Sequence, residues 1–246
     1  MNKKIFCFIP GRLKSSRLPN KMTLKIKGKT LLNFVHDICI KNKFFHEVYV
    51  ATCDKVLKDM SKKNKSKVIM TSLKHKDCIS RVVEAVKKKG NKINSSDYIV
   101  VVQGDEVCIT KDILNKFCKV ILNKKSEYYN LISKVHSKKD LLLNSVVKCA
   151  LNNKDEIIFM TRHPIPFEKN AKLKTLENYR QSGIIAFTKK SLLRYTKLSQ
   201  HYLEKFESID MLRVLENGFK IQSYKIDKRM IGVDTLKDYK EVTKIL

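Results

Sequence analysis

The sequence predicts an α/β fold: a mixed, mainly parallel sheet flanked by helices, with a small antiparallel lobe inserted in it. Three observations carry this prediction. Strand-like and helix-like segments alternate through the front half of the chain. The first apolar strand runs into a loop punctuated by proline and glycine before helix-like sequence resumes. Beyond residue 126, strand-like segments follow one another with little helix between them. A single domain over 1–246 is expected, with a core of about 1–125 and 183–246 and an inserted lobe of about 126–182.

Each element rests on its own signal. Residues 5–9 form an unbroken apolar run of strand length. Residues 30–41 predict a helix, since Leu31, Leu32, Phe34, Val35, Ile38 and Cys39 fall near helical spacing. Residues 47–51 are the next strand. Residues 54–63 are a helix that Asp54 is placed to cap. Residues 68–70 are a short strand, and 79–89 a helix ended by Gly90. The polar linker 91–96 leads to the strongly apolar strand 98–102, which stops at Gln103-Gly104-Asp105-Glu106. Further on, 129–136, 146–151 and 156–160 are strands, the last two joined by the turn Asn152-Asn153-Lys154-Asp155. Strand 183–187, helix 203–216 and strand 220–226 return to the core. Gly232-Val233-Asp234-Thr235 precedes a final helix.

The loop after the first strand is the most informative stretch. Pro10 and Pro19, two of only four prolines in the chain, bracket it, and Gly11 lets it turn tightly. It carries Arg12, Lys14, Arg17 and Lys21. Only eight arginines occur in the chain and two sit here. The planar guanidinium fork suits phosphate oxygens in a way that lysine does not. A solvated basic connection is the plain alternative, and the order of residues argues against it. A rigid cationic loop between strand and helix is a common way to hold a polyphosphate at the C-terminal edge of a parallel sheet.

Composition excludes several classes. The net charge of +28 comes from 44 Lys and 8 Arg against 24 acidic residues, spread along the whole chain. No helix-turn-helix, zinc-finger or RRM-type signature accompanies it, so no nucleic-acid partner is expected. No apolar run is long enough to span a bilayer, and the N-terminus lacks a small-residue cleavage site; neither membrane insertion nor a signal peptide is expected. Seven scattered cysteines without a C-x-x-C fit reduced thiols in a cytoplasmic protein.

Two carboxylates stand at the end of the buried strand 98–102. Asp105 and Glu106 there suit Mg²⁺, a hard cation that takes one or two carboxylates and completes its shell with phosphate oxygens and water. A turn with a helix cap is the alternative. Asp234 is a second candidate, with an N-cap for the last helix as its alternative. Lys148 lies mid-strand, where a solvent face is expected in so basic a chain. Arg162-His163-Pro164-Ile165-Pro166-Phe167 holds the other two prolines and is expected to be a rigid, anion-facing loop, with a plain turn as the alternative. His75 and His163 have no neighbour at metal-ligand spacing, and no G-x-S-x-G occurs.

Taken in order, these segments resemble one family, the 3-deoxy-manno-octulosonate cytidylyltransferases (CMP-Kdo synthetases), with the CMP-acylneuraminate synthetases as cousins. Ile9-Pro10-Gly11-Arg12 through Ser16-Arg17-Leu18-Pro19-Asn20-Lys21 is similar to the family's I-P-A-R…[ST]-R-L-P-G-K loop. Val102-Gln103-Gly104-Asp105-Glu106 is similar to V-Q-G-D-E-P. Val147-Lys148, Thr161-Arg162 and Ile165-Pro166 follow the V-K…S-R…I-P series. Glu204, Glu207, Leu212 and Arg213 follow L-E-x-x-E-x-L-E-Q-L-R, and Gly232-Val233-Asp234-Thr235 is G-V-D-T.

The resemblance implies a Rossmann-like, GT-A-like nucleotidyltransferase with a small antiparallel dimerisation lobe, hence a homodimer. It implies an Mg²⁺-dependent reaction of CTP with a 2-keto-3-deoxy sugar acid, giving a CMP-sugar and pyrophosphate for lipopolysaccharide or another surface glycan. Arg12, Lys21 and Asp105 would be catalytic. Pro10, Gly11, Arg12, Ser16, Arg17, Lys21, His75, Arg81 and Gln103 would bind nucleotide. Gln103, Arg162, Gln181, Glu207 and Asp210 would face the sugar, and Asp105 and Asp234 would hold Mg²⁺. The chain departs from the pattern in places. H-x-x-G-T-[DE]-R is His75-Lys76-Asp77-Cys78-Ile79-Ser80-Arg81 here, and Val107 replaces a proline. R-H-x-G-I is Arg180-Gln181-Ser182-Gly183-Ile184, and E-Q-L-R is Asp210-Met211-Leu212-Arg213. The last two changes fall in the sugar half, so a modified or different acid is expected. A CMP-acylneuraminate-type or other sugar nucleotidyltransferase, or a non-catalytic nucleotide-binding homologue, is the alternative.

Overall fold

Alternation along the first strand sets the centre of the molecule. In the computed structural model, which describes residues 3–167, 169 and 178–246, every residue of β1 (Ile5–Gly11) is buried. Ile5, Cys7 and Ile9 enter one apolar core, and Phe6 and Phe8 enter a second on the opposite face. A strand covered on both sides reads as a continuous apolar run, which is why 5–9 and 98–102 stand out in the sequence. Residues 168 and 170–177 of the expected lobe lie outside the described residues.

The chain continues through a hairpin, β2 (Lys25–Ile26) and β3 (Lys29–Thr30), to α1 (Leu31–Cys39), which the Thr30 side chain caps. β4 (Phe45–Thr52), α2 (Lys55–Lys63), β5 (Lys67–Met70) and α3 (Cys78–Lys89) follow. Asp77 caps α3, accepting from Ser80 N at 2.6 Å, and Gly90 with φ 57° ends it. β6 (Tyr98–Val102) then returns to the centre. α4 (Lys111–Asn123) lies where the sequence predicts no element; its Leu114, Phe117, Cys118 and Ile121 pack into the first core. After β7 (Tyr128–Lys134), α5 (Lys138–Leu142) occupies a stretch expected to hold little helix. β8 (Lys148–Leu151), β9 (Glu156–Thr161) and β10 (Tyr179–Thr188) precede α6 (Lys189–Tyr195), α7 (Tyr202–Glu207) and α8 (Leu212–Glu216). β11 (Ile221–Ile226) and α9 (Leu236–Ile245) complete the described residues.

Among the described residues, one sheet of nine strands runs β5–β4–β1–β6–β10–β7–β11–β9–β8. β5, β4, β1 and β6 are parallel, as the alternation predicts. β10 is antiparallel to both β6 and β7, whereas β7 and β11 are parallel. The antiparallel strands expected as an inserted lobe therefore continue the main sheet, and β7 lies inside it. β8 also pairs back onto β10 through Lys148 and Cys149. Among the described residues, no helix is long and apolar enough to cross a membrane.

Three side chains differ from expectation. Asp54 makes no cap bond; its carboxylate accepts from Leu13 N at 2.9 Å and so ties α2 to the first loop. Asp234 does not cap α9, because Thr235 and Asp238 form a reciprocal capping box there. Lys148 is fully buried rather than on a solvent face. Its Nζ donates to the carbonyls of Leu143 and Val146, each at 2.9 Å, and to that of Arg162. Burial lowers its pKa to about 8, with Arg162 and Arg180 acting in the same direction against Glu207. Three carbonyl acceptors match the three protons of an ammonium, which keeps the group charged at neutral pH.

The helix expected over 203–216 is broken. Ser208 takes a left-handed conformation, φ 52°, and ends α7. Arg162 holds the broken end, Nε donating to Glu207 O at 2.7 Å and Nη2 to Ser208 O at 3.2 Å. Across the break, Arg213 donates to both carboxylate oxygens of Glu204, at 2.8 and 2.6 Å, and its guanidinium lies 4.4 Å from the Tyr195 ring centre. Asp210 sits in the turn between the helices. Burial, then the Asp77 and Glu204 carboxylates, push its pKa up to about 7, against the opposing pull of Arg213 and Arg12.

Glu204 is 4% exposed, so Glu204→Gln leaves the Arg213 charge without its counter-ion. We expect a loss of about 3 kcal/mol, seen as a lower urea midpoint at unchanged slope. Asp210 gives a pH signature. From about pH 4 to about pH 7 the unfolded carboxyl ionises while the folded one keeps its proton, so stability falls as pH rises through that window. Asp210→Asn should remove this fall, gaining on the order of 3 kcal/mol relative to the unaltered protein between urea titrations at the two ends of the window.

Candidate active site

Parallel pairing places the ends of β1 and β6 side by side, with Ile5 opposite Tyr98 and Phe8 opposite Val101. Whatever follows each strand emerges at the same edge of the sheet. β1 delivers the loop 10–21, and β6 delivers Gln103 to Glu106. A third segment is pinned there by Val233 N, which donates to Asp105 O at 3.1 Å. Gly104 allows the contact between these layers. A methyl group at its Cα would stand 2.9 Å from Met22 Sδ and 3.0 Å from Leu32 Cδ1.

Lys21 is the point on which the three segments meet. Its ammonium donates to Asp105 Oδ2 and, at 3.0 Å, to Asp234 Oδ1. Arg17 Nη2 lies 3.0 Å from Asp234 Oδ2. Burial pulls the Lys21 pKa down, but the two carboxylates outweigh it and the net shift is upward. Arg12 Nη1 reaches across to the carbonyl of Lys76 at 3.2 Å.

Two adjoining cavities, of about 200 and 240 Å³, open on this centre. The predicted Pro10, Gly11, Arg12, Ser16 and Arg81 line the first. The predicted Arg162, Gln181 and Asp210 line the second. Arg17, Lys21, Gln103, Asp105 and Asp234 line both, and so mark the boundary between them. Gln103 is held there by backbone pairing, its N–H donating to Gly183 O at 3.0 Å. Any side chain at Gly183 would run into Gln103, whose Cδ and Oε1 would stand 2.7 Å from the added methyl carbon.

Several predicted residues sit elsewhere or act differently. His75 lines neither cavity and pairs with Glu84. Arg81 is almost fully buried and braces the 71–72 segment, donating to Thr71 Oγ1 at 2.7 Å and Ser72 O at 3.4 Å. Glu207 does not line the second cavity; its carboxylate accepts from Thr161 Oγ1 and, at 2.8 Å, from Arg162 N. The Arg162 guanidinium donates to three backbone carbonyls, those of Glu207, Ser208 and, at 2.9 Å, Asn144. Gln181 donates to Asn130 Oδ1 at 2.9 Å.

The structure adds residues that spacing does not single out. Asp77 and Cys78 line the first cavity; Cys78 Sγ accepts from Gln103 Nε2 at 3.4 Å, and burial raises its thiol pKa. Glu106, Arg180 and Ser182 line the second. Burial and the neighbouring Asp105 push Glu106 up to about 7, although it accepts from Gly183 N. The available signal was adjacency, since Asp77 lies within the 75–81 segment and Arg180 and Ser182 flank Gln181; Glu106, named with Asp105 as a metal candidate, is instead turned onto Gly183 N.

The carboxylates of Asp105 and Asp234 come from separate loops yet share one cation, the Lys21 ammonium. Two hard oxygen donors facing a phosphate-sized, cation-lined space suit Mg²⁺, which keeps waters and takes substrate phosphates as its other ligands. Among the described residues no group of three or more His, Cys, Asp and Glu is placed to cage a metal.

The chain is similar to known proteins over nearly its whole length. The cytidylyltransferase family model matches residues 6–223. The 3-deoxy-manno-octulosonate cytidylyltransferase of Francisella tularensis subsp. tularensis (strain SCHU S4 / Schu 4) is 33% identical, over 98% of each chain. That of Thermodesulfovibrio yellowstonii is 29% identical, over 98% of this chain and 97% of its own. The solved structure of a CMP:2-keto-3-deoxy-manno-octonic acid synthetase complexed with CTP superposes with a TM-score of 0.88 at 27% identity, covering 99% of this chain and 98% of that one. With its basic loop, paired aspartates and full-length match, the chain belongs to the cytidylyltransferase family, among the 3-deoxy-manno-octulosonate cytidylyltransferases.

Proposed function

We propose that the protein couples CTP to a 2-keto-3-deoxy sugar acid, the octulosonate or a modified form of it, giving the CMP-sugar and pyrophosphate. The carrying observation is the meeting of Lys21, Asp105 and Asp234 at the boundary of two cavities. The first cavity is rich in cations from one loop and suits the triphosphate. The second, with Gln181, Ser182 and Asp210, suits a polyhydroxylated acid. Along their shared wall the acid's anomeric hydroxyl would meet the α-phosphorus in line.

Arg12, Arg17 and Lys21 would bind and orient the triphosphate and offset the charge that moves onto the departing pyrophosphate. Gln103, fixed by its backbone and by Gly183, would hold the acid against the nucleotide. Asp105 and Asp234 would hold Mg²⁺, which when bound neutralises phosphate charge. A homodimer, a cytoplasmic setting and supply of a surface glycan such as lipopolysaccharide belong to the same proposal through family membership.

The test is pyrophosphate release from CTP with Mg²⁺ and a panel of 2-keto-3-deoxy sugar acids, with UTP, ATP and GTP as controls. Release with CTP and one acid supports the proposal; folded, CTP-binding protein that turns over no acid overturns it. Asp105→Asn and Asp234→Asn should each lower kcat by on the order of 10³-fold while leaving the circular dichroism spectrum unchanged. Unchanged turnover in either variant removes that residue from the metal site.

A further inference from the structure

Four cations line the second cavity: Arg17, Lys21, Arg162 and Arg180. Three are already committed. Arg17 pairs with Asp234, and Lys21 with Asp105 and Asp234. Arg162 donates to the carbonyls of Glu207, Asn144 and Ser208. Arg180 alone, among the described residues lining this cavity, is a cation without a hydrogen bond or a close ion pair; the Glu106 and Asp140 carboxylates act on it only through space, and its Nε is sealed from solvent with no partner. That one donor is cut off from water without a partner, a cost that a fold tolerates where a ligand makes up the loss.

Arg180 is held firmly. It lies in β10 opposite Ser133 on one side and Lys148 on the other. It does not line the first cavity, where Arg12, Lys14, Arg17 and Lys21 already serve phosphate. Two neighbours on the second cavity are also unsatisfied: Ser182 Oγ, and Glu106 Oε2, which needs a donor. The vacancies thus ask for an anion at Arg180 and hydroxyl groups beside it. That is the pattern of a hydroxylated carboxylic acid.

We infer that Arg180 receives the carboxylate of the sugar acid and is the residue that makes the site select an acid over a neutral sugar. The inference rests on the proposed function and names the contact behind its acid specificity. Arg162, which the family resemblance points to, instead positions the cavity wall through its backbone contacts.

The experiment compares the acid with its neutral 1-carboxamide, measuring kcat/KM for each in the unaltered protein, Arg180→Gln and Arg180→Lys. Arg180→Gln should lower kcat/KM for the acid by about 10- to 100-fold, the loss expected for one charge-assisted contact, while the KM for CTP and inhibition by pyrophosphate stay within about twofold. The preference for acid over amide should collapse in Arg180→Gln and return in part in Arg180→Lys. A purely structural role would lower both substrates equally and leave the ratio unmoved, which overturns the inference. A loss falling on CTP or pyrophosphate instead of the acid also overturns it, by assigning Arg180 to phosphate. If Arg180→Gln does not fold, the acid-to-amide ratio in Arg180→Lys decides alone, an unmoved ratio again being the overturning result. Absence of turnover by the unaltered protein with every acid overturns the proposed function itself, and is thereby distinct from turnover with an unmoved ratio.

Discussion

The contact of the Lys21 ammonium with Asp105 and Asp234 is the constraint on which the rest of the site depends. Its partners lie 84 and 213 residues away in sequence. Two carboxylates held this close repel each other unless a cation lies between them. The fold meets that demand with a lysine from the loop after β1, and this requires β1 and β6 to end at the same edge of a parallel sheet. It also requires Gly104, because a larger residue would separate the β6 end from Met22 and Leu32. The bond from Val233 N to Asp105 O then fixes the third segment. A centre assembled around a long-chained cation can exchange partners when a polyphosphate arrives, since one charge-assisted bond replaces another.

The same principle, a charge with or without its partner, divides the two cavities. On the first, cations come from one short loop and their charge reaches solvent-accessible space. On the second, most charge is cancelled by the protein. Lys148 and Arg162 are turned onto backbone carbonyls, and Glu207 onto a hydroxyl and an amide. These contacts close the end of β9, the turn before β8 and the broken α7 end into one wall. Asp210 projects from that wall with its pKa raised, so the cavity presents polarity with little net negative charge.

How much of this was legible in the sequence follows from the range of the interactions involved. β6 spans the expected residues, and β1, α1 and α3 fall within two residues of expectation, because each is set by local periodicity and a cap. The loop that lines the first cavity was legible as one contiguous segment, Pro10 to Lys21, whereas His75, expected beside it, lines neither cavity. The break after Glu207 was not. It depends on a left-handed Ser208 and on bonds from Arg162, 45 and 46 residues away, which no local pattern reveals. Lys148 misleads for a related reason: its burial is made possible by three carbonyls that converge only in the folded chain. Asp54 and Asp234 look like caps by position, but a loop amide takes one and Lys21 and Arg17 take the other.

The excess of basic residues sharpens this point. A net charge of +28 draws anions of every kind toward the surface, and both proposed substrates and the pyrophosphate product are anionic. Attraction of that sort falls off within about 10 Å in ordinary salt and does not discriminate among anions. Discrimination has to come from cations whose own partners have been withheld, at fixed positions, out of bulk solvent. In this chain the many lysines set the general field. The few arginines decide the outcome, because a planar guanidinium can be either anchored on backbone carbonyls, as in Arg162, or left without a hydrogen-bond partner for a carboxylate to meet, as in Arg180.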